Sequence, residues 1–216
     1  MEKKLPDKSC PICTNTMRNR VCSWSYYFDS CGYWAAFLQP NINSQSDYIF
    51  SEERNDSGVI SFLDSIRIIN FNKILDRIPA GKNGSKLSIL DVGCASGLFI
   101  KTAEERGHIL TGIEPNPIMA KIALNKGFNV VNGYFPSAIM PTSKFDIIIF
   151  NDVFEHIPDI NEILHYCKIF LNDDGLLIIN LPNSGGIFFR LAKILTILGL
   201  SGPWNRLWQV MFYTPH

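Results

Sequence analysis

"LSILDVGCASGLFIK", Leu87 to Lys101, decides how the chain is read. Leu87, Ile89, Leu90 and Val92 form a short apolar run that contains one acid, Asp91. Gly93, Ala95 and Gly97 follow, and after them comes an apolar, helix-like segment. Such a run, bounded by small residues, reads as a buried strand leading into a helix. In an open parallel sheet, ligands sit beyond the carboxyl ends of the strands. A small-residue turn there lets the backbone approach them, and the next helix offers unpaired N–H groups. The dinucleotide pattern G-x-G-x-x-G is not met, because counting from Gly93 gives Gly, Ala95 and Leu98. An acid ahead of the turn suits a cationic ligand better than a pyrophosphate.

Working outward, apolar runs and helical patterns alternate. "ILTGIE" (109–114) reads as a strand, and "NPIMAKIALNKG" as a helix with Asn116 as cap, Pro117 at its first position and Gly127 at its close. "FNVVNG" is a short strand and "FDIIIFN" (145–151) a strong one. "DINEILHYCKIFL" is an amphipathic helix, "NDDG" a turn and "LLIINLP" a strand. This order predicts an α/β fold with a doubly wound, Rossmann-like, mostly parallel sheet and helices on both faces. Upstream, Val59, Phe62, Leu63, Ile66, Ile69, Ile74 and Ile78 recur at roughly helical spacing and stop before Pro79. The expected organisation is a Cys- and aromatic-rich lobe over 1–45, a linker and helix over 46–84, the core over 85–183, and an apolar helix and tail over 184–216.

A length of 216 residues suits one α/β domain with a small appendage. With 46% hydrophobic and 19% charged residues the chain reads as globular. Twenty basic residues balance twenty acidic ones, so no overall field draws a polyanion, and nucleic acid is not the expected partner. "MEKKLPDKSCPIC" lacks the apolar centre of a signal peptide. Ile187 to Leu200 is broken by Arg190 and Lys193 and falls short of the ~20 residues that span a bilayer. The expected location is the cytoplasm. Six cysteines without an export signal point to metal binding or packing rather than to disulfides.

Asp91-Val-Gly93-Cys-Ala95-Ser-Gly97 follows the pattern acid-x-Gly-x-Gly-x-Gly with one Gly-to-Ala departure. Through it, Glu114 at the end of "ILTGIE", "FDIIIFNDVFEHIPD" and "GLLIINLPN", the chain resembles the class I S-adenosylmethionine-dependent methyltransferases over about residues 85 to 183. The resemblance implies S-adenosyl-L-methionine as cofactor, with its amino-acid tail by Asp91, Gly93, Ala95 and Gly97. Glu114 would accept both ribose hydroxyls, as a carboxylate does well. Asn151 is counted with the cofactor-binding residues. Tyr134 or Phe135 in "NGYFP" either packs on the purine or belongs to the core.

Methyl transfer from a sulfonium is an in-line displacement, so the protein has to align the acceptor and take its proton where the acceptor needs to lose one. His156 in "NDVFEHIP" is the candidate general base, since an imidazole titrates near neutrality. Asp152, Glu155 and His156 also form acid-x-x-acid-His, which is similar to the divalent-metal site of some O-methyltransferases, with His216 as a downstream counterpart. A third reading has Glu155 and His156 only bracing the loop.

"CPICTNT…VCSWSYYFDSCGYWAAFLQP" resembles the zinc knuckle that precedes many such enzymes. The resemblance implies zinc on Cys10, Cys13 and Cys31. Phe28 stands where a further cysteine belongs, and Cys22 supplies the fourth thiolate on that reading. Otherwise these cysteines are small buried groups. In the family the sheet continues into an antiparallel hairpin, yet 184–216 shows no strand pair, so a lacking or truncated hairpin is expected. The helix 187–200, with Trp204 and Trp208, suits a lid, an interface between chains or a peripheral membrane contact. The implied function is methyl transfer to a small-molecule acceptor: a hydroxyl oxygen of a sugar, quinone-like or lipid-linked compound. The alternatives are a truncated cofactor-binding module without catalysis, a sugar C-methyltransferase and an RNA 2′-O-methyltransferase.

Overall fold

The computed structural model describes residues 15–16, 18–19, 25–27, 34–36, 57–81, 84–157, 159–181, 191 and 194–195. The chain divides into two compact units. One comprises Gln45–Phe154 with Asn161–Leu181; the other takes in Met1–Ser44, Glu155–Ile160 and Pro182–His216.

In the second unit, β1 (Arg18–Asn19), β2 (Ser25–Tyr27) and β3 (Trp34–Ala36) form a small antiparallel sheet in that order. Tyr27 is opposite both Arg18 and Trp34. Strands of two or three residues are too short for alternation to show, so the sequence reads as aperiodic there.

The first unit begins with α1 (Ser57–Leu75), which stops short of Pro79 as the periodicity predicts. There follow β4 (Ser88–Val92), α2 (Leu98–Glu104), β5 (Ile109–Glu114), α3 (Pro117–Asn125), β6 (Val130–Asn132), β7 (Phe145–Asn151), α4 (Ile160–Phe170) and β8 (Leu171–Asn180). The strands lie in the order β6-β5-β4-β7-β8, and every neighbouring pair is parallel. The chain winds from β4 outward through β5 to β6, then crosses back to β7 and β8. The order therefore reverses between β4 and β7, the point where such sheets bind ligands.

Ile89, Leu90, Ile147, Ile148, Ile149 and Phe150 are almost wholly buried, as central parallel strands covered on both faces should be. Each such side chain stabilises the fold by roughly 1.5–3 kcal/mol relative to exposure. Phe71 of α1 and Phe99 of α2 meet edge to face at 5.2 Å and close part of the same core. Arg106, after α2, bonds Asp76 and Asn72 and ties α2 to α1. The cap on α3 forms as expected: Asn116 Oδ1 accepts the N–H groups of Ile118 and Met119, and Pro117 holds the first helical position.

"NDDG" is not the expected turn; it lies inside β8. Phe145 is opposite Leu171 while Ile147 is opposite Leu176, so these residues form a bulge in a continuous strand. Asp146 holds the bulge, taking Asn172 Nδ2 on one oxygen and the N–H of Ser88 on the other, each at 2.8 Å. Helix α4 runs into β8 without a loop. Lys144 Nζ donates to Ile169 O and Leu171 O across that junction, at 2.8 and 3.0 Å. No helix among the described residues is long and apolar enough to cross a membrane.

Candidate functional site

Each strand of the parallel sheet carries a polar side chain at its carboxyl end: Asn132 on β6, Glu114 on β5, Asp91 on β4, Asn151 on β7 and Asn180 on β8. Glu114 pairs with Asn132, and Asn151 with Asn180. Asp91 pairs with Gly112 and Ile149, two residues before Glu114 and Asn151. Because side chains alternate with period two, all five face the same side of the sheet.

The turn after β4 passes through the left-handed region at Gly93 (φ 78°), Ala95 (φ 48°) and Gly97 (φ 85°). A Cβ on Gly93 would lie 2.5 Å from Val153 Cγ2, so this position admits no side chain. The N–H groups of Gly93 and Cys94 both donate to Ile113 O, and that of Gly97 to Cys94 O. Glu114 completes the frame: Oε2 accepts from Ala95 N and Oε1 from Asn116 N, each at 2.8 Å. One carboxylate thus joins the turn after β4 to the start of α3. Cys94 turns its thiol into the core, and burial pushes its pKa well up, with the charges of Asp91 and Glu114 adding to the effect.

Asp91 is 1% exposed. Burial pushes its carboxyl up to about 7, the Asn151 hydrogen bond opposes this, and the Glu114 charge adds to it. Its Oδ1 receives Asn151 Nδ2 at 3.5 Å, and Asn151 Oδ1 receives Asn180 Nδ2 at 3.4 Å. Oδ2 is buried and has no hydrogen-bond partner among the described residues. Glu114, also buried, is likewise raised by burial and held back by its two N–H donors. Two buried carboxylates therefore stand on neighbouring strand tips, and neither forms an ion pair among the described residues. Such a pair favours a bound cation that can donate hydrogen bonds.

The two aromatic candidates separate. Phe135 packs edge-on against Phe150 and Phe170, at 5.9 and 5.8 Å, whereas Tyr134 is 56% exposed on the turn after β6. Asp152 is exposed and left-handed (φ 54°), and its N–H donates to Asn180 O at 3.0 Å. His156 is half-buried and closes a 3₁₀ turn, Phe154–His156. It belongs to the second unit, as does Glu155, whose side chain is outside the described residues. Cys10, Cys13, Cys22, Cys31 and His216 also lie outside them. Among the described residues no group of three or more His, Cys, Asp or Glu could hold a metal ion.

Residues 66–213 match a family described as a methyltransferase domain, which is well over half of the chain. The chain belongs to that family. This methyltransferase-family chain is 29% identical over 113 residues to the ubiquinone biosynthesis O-methyltransferase of Bradyrhizobium diazoefficiens, a match covering 50% of this chain and 45% of the relative. To the protein of the same name from Glaesserella parasuis it is 30% identical over 154 residues, covering 66% and 63%. The chain thus spans about half to two thirds of the length of these curated relatives. Its fold is similar to that of the plantazolicin methyltransferase BpumL, whose structure was solved in complex with SAH; the TM-score is 0.50 at 17% identity, covering 74% of this chain and 66% of that one.

Sequence reasoning did not single out Asn132, Asn180 or Val153. The first two carried a signal, since each ends its strand as Glu114 and Asn151 end theirs. Val153 carried none, because only the close approach to Gly93 gives it meaning.

Proposed function

We propose that this chain binds S-adenosyl-L-methionine across the carboxyl ends of β4 and β5 and moves its methyl group to an oxygen of a small, quinone-like acceptor. The observation that carries this reading is the pair of buried carboxylates at the glycine-rich turn, Asp91 with an oxygen that has no partner among the described residues and Glu114 beside it. The donor set fits such a ligand. An ammonium is a natural partner for Asp91 Oδ2. Each Glu114 oxygen has accepted one N–H and keeps a lone pair for a ribose hydroxyl. The left-handed turn without a side chain at Gly93 leaves backbone where an amino-acid tail would lie. Exposed Tyr134 is the aromatic for the purine face. Membership of the methyltransferase family and the names of the curated relatives support an O-methyl acceptor of this class.

When bound, the cofactor supplies an electrophilic methyl on a sulfonium. As the acceptor oxygen forms the new C–O bond, the methyl–sulfur bond breaks with its electron pair left on a neutral thioether, and the acceptor's proton passes to a base, for which His156 is the candidate. Asp152 and Glu155 precede that histidine in sequence and would orient it or the acceptor.

Calorimetry with S-adenosylmethionine and turnover on a panel of catechol and hydroquinone acceptors test the reading together. Micromolar binding with turnover supports it. Binding without turnover would make the chain a cofactor-binding module, and no binding at any pH would end the proposal.

A further inference from the structure

Asn180 has a role that neither the family match nor the glycine-rich turn assigns. Asp91, Asn151 and Asn180 stand on three adjacent strands, β4, β7 and β8, and their hydrogen bonds run one way. Asn180 Nδ2 donates to Asn151 Oδ1 at 3.4 Å, and Asn151 Nδ2 donates to Asp91 Oδ1 at 3.5 Å. An amide has one donating and one accepting end. With its oxygen committed to Asn180, Asn151 presents its NH2 to the carboxylate. Turned the other way, it would set an oxygen against Asp91 and favour the protonated acid. Both separations are long, so neither link alone orients the amide strongly, and the two act on it in the same sense. The backbone of Asn180 is itself held by its pairing with Asn151 and by the Asp152 N–H on its carbonyl at 3.0 Å.

We propose that Asn180 is a positioning residue: by fixing which end of the Asn151 amide faces Asp91, it holds that carboxylate ionised and oriented for a cationic ligand. The identity of the ligand, S-adenosylmethionine, rests on the function proposed above. Among the described residues few groups compete for control of this charge. From β5 Glu114 bears on Asp91, and the Cys94 thiol faces it from the turn. From β7 and β8 the side chains directed at it are amides, while Asp152 beyond them is exposed. Burial raises Asp91 to about 7 with the Asn151 hydrogen bond already opposing it, so loss of that correctly turned donor would favour the protonated acid at neutral pH.

The test uses two neutral variants that cannot donate, Asn180→Leu and Asn180→Ala. Carboxyl 13C NMR of the ligand-free protein follows the Asp91 titration, and calorimetry follows S-adenosylmethionine affinity from about pH 6 to about pH 9. Both variants should raise the Asp91 midpoint, by up to about one pH unit. Affinity near neutral pH should fall about tenfold, and the deficit should close toward the alkaline end. A residue that only braces the fold would lower affinity equally at every pH with the midpoint unmoved. That result overturns the proposal, as does an unmoved midpoint with unchanged affinity. Should the wild type bind no S-adenosylmethionine while the midpoint still moves in the variants, the control of Asp91 by Asn180 stands and the proposed function falls.

Discussion

Glu114 Oε2 accepts the backbone N–H of Ala95 at 2.8 Å, so the acid that ends β5 also holds the turn that leaves β4. Two strand tips are thereby locked into one frame before any ligand arrives, and both acids of the site are buried in it.

Burying Asp91 should leave a pH signature. Folded, it titrates near 7; unfolded, at its usual 3.8. Between those values the folded protein holds the additional proton, so stability falls as pH rises through the window and the loss is complete above it. Asp91→Asn removes this titration. The variant should equal wild type near pH 4 and exceed it by on the order of 2–4 kcal/mol near pH 8. Cofactor binding should be lost. Melting curves across that range, with calorimetry, check both halves; a variant less stable than wild type at alkaline pH would contradict the assignment.

The turn offers a paired contrast. Ala95 sits at φ 48°, where a β-carbon is strained, so Ala95→Gly should be neutral or stabilising by up to about 1 kcal/mol. Gly93→Ala adds a Cβ at φ 78° that lies 2.5 Å from Val153 Cγ2, and should cost about 2 kcal/mol or more. Denaturant midpoints of the two single variants decide it.

Tyr134 and Phe135 are neighbours that should answer to different assays. Tyr134→Ala, at an exposed position, should leave the melting temperature within a degree or two and weaken cofactor binding about tenfold. Phe135→Ala removes a ring wedged between Phe150 and Phe170 and should cost about 2–3 kcal/mol of stability.

His156→Ala should lower kcat on hydroxyl acceptors by about 10²-fold or more and leave cofactor affinity as it was. Unchanged turnover would remove this histidine as the base.

Much of the architecture was legible because parallel strands buried on both faces are written as unbroken apolar runs. "ILTGIE" and "FDIIIFN" match β5 and β7 residue for residue, and the Asn116-Pro117 start of α3 follows from capping chemistry that acts within four residues. The bulge in β8 was hidden for the opposite reason. Asn, Asp and Gly favour turns locally, and tertiary contacts such as the Asn172–Asp146 hydrogen bond, which local sequence does not announce, keep "NDDG" inside a strand. At the site, Asp91, Gly93 and Glu114 could be read from their places at strand ends. The division between Tyr134 and Phe135 could not, since adjacent aromatics differ only in which one the fold turns inward.

The loop-free passage from α4 into β8, clasped by Lys144 on Ile169 O and Leu171 O, removes the hinge at which a helix usually frays. The last turn of α4 should therefore exchange its amide hydrogens at the rate of β8, the edge strand it runs into, opening when that strand opens.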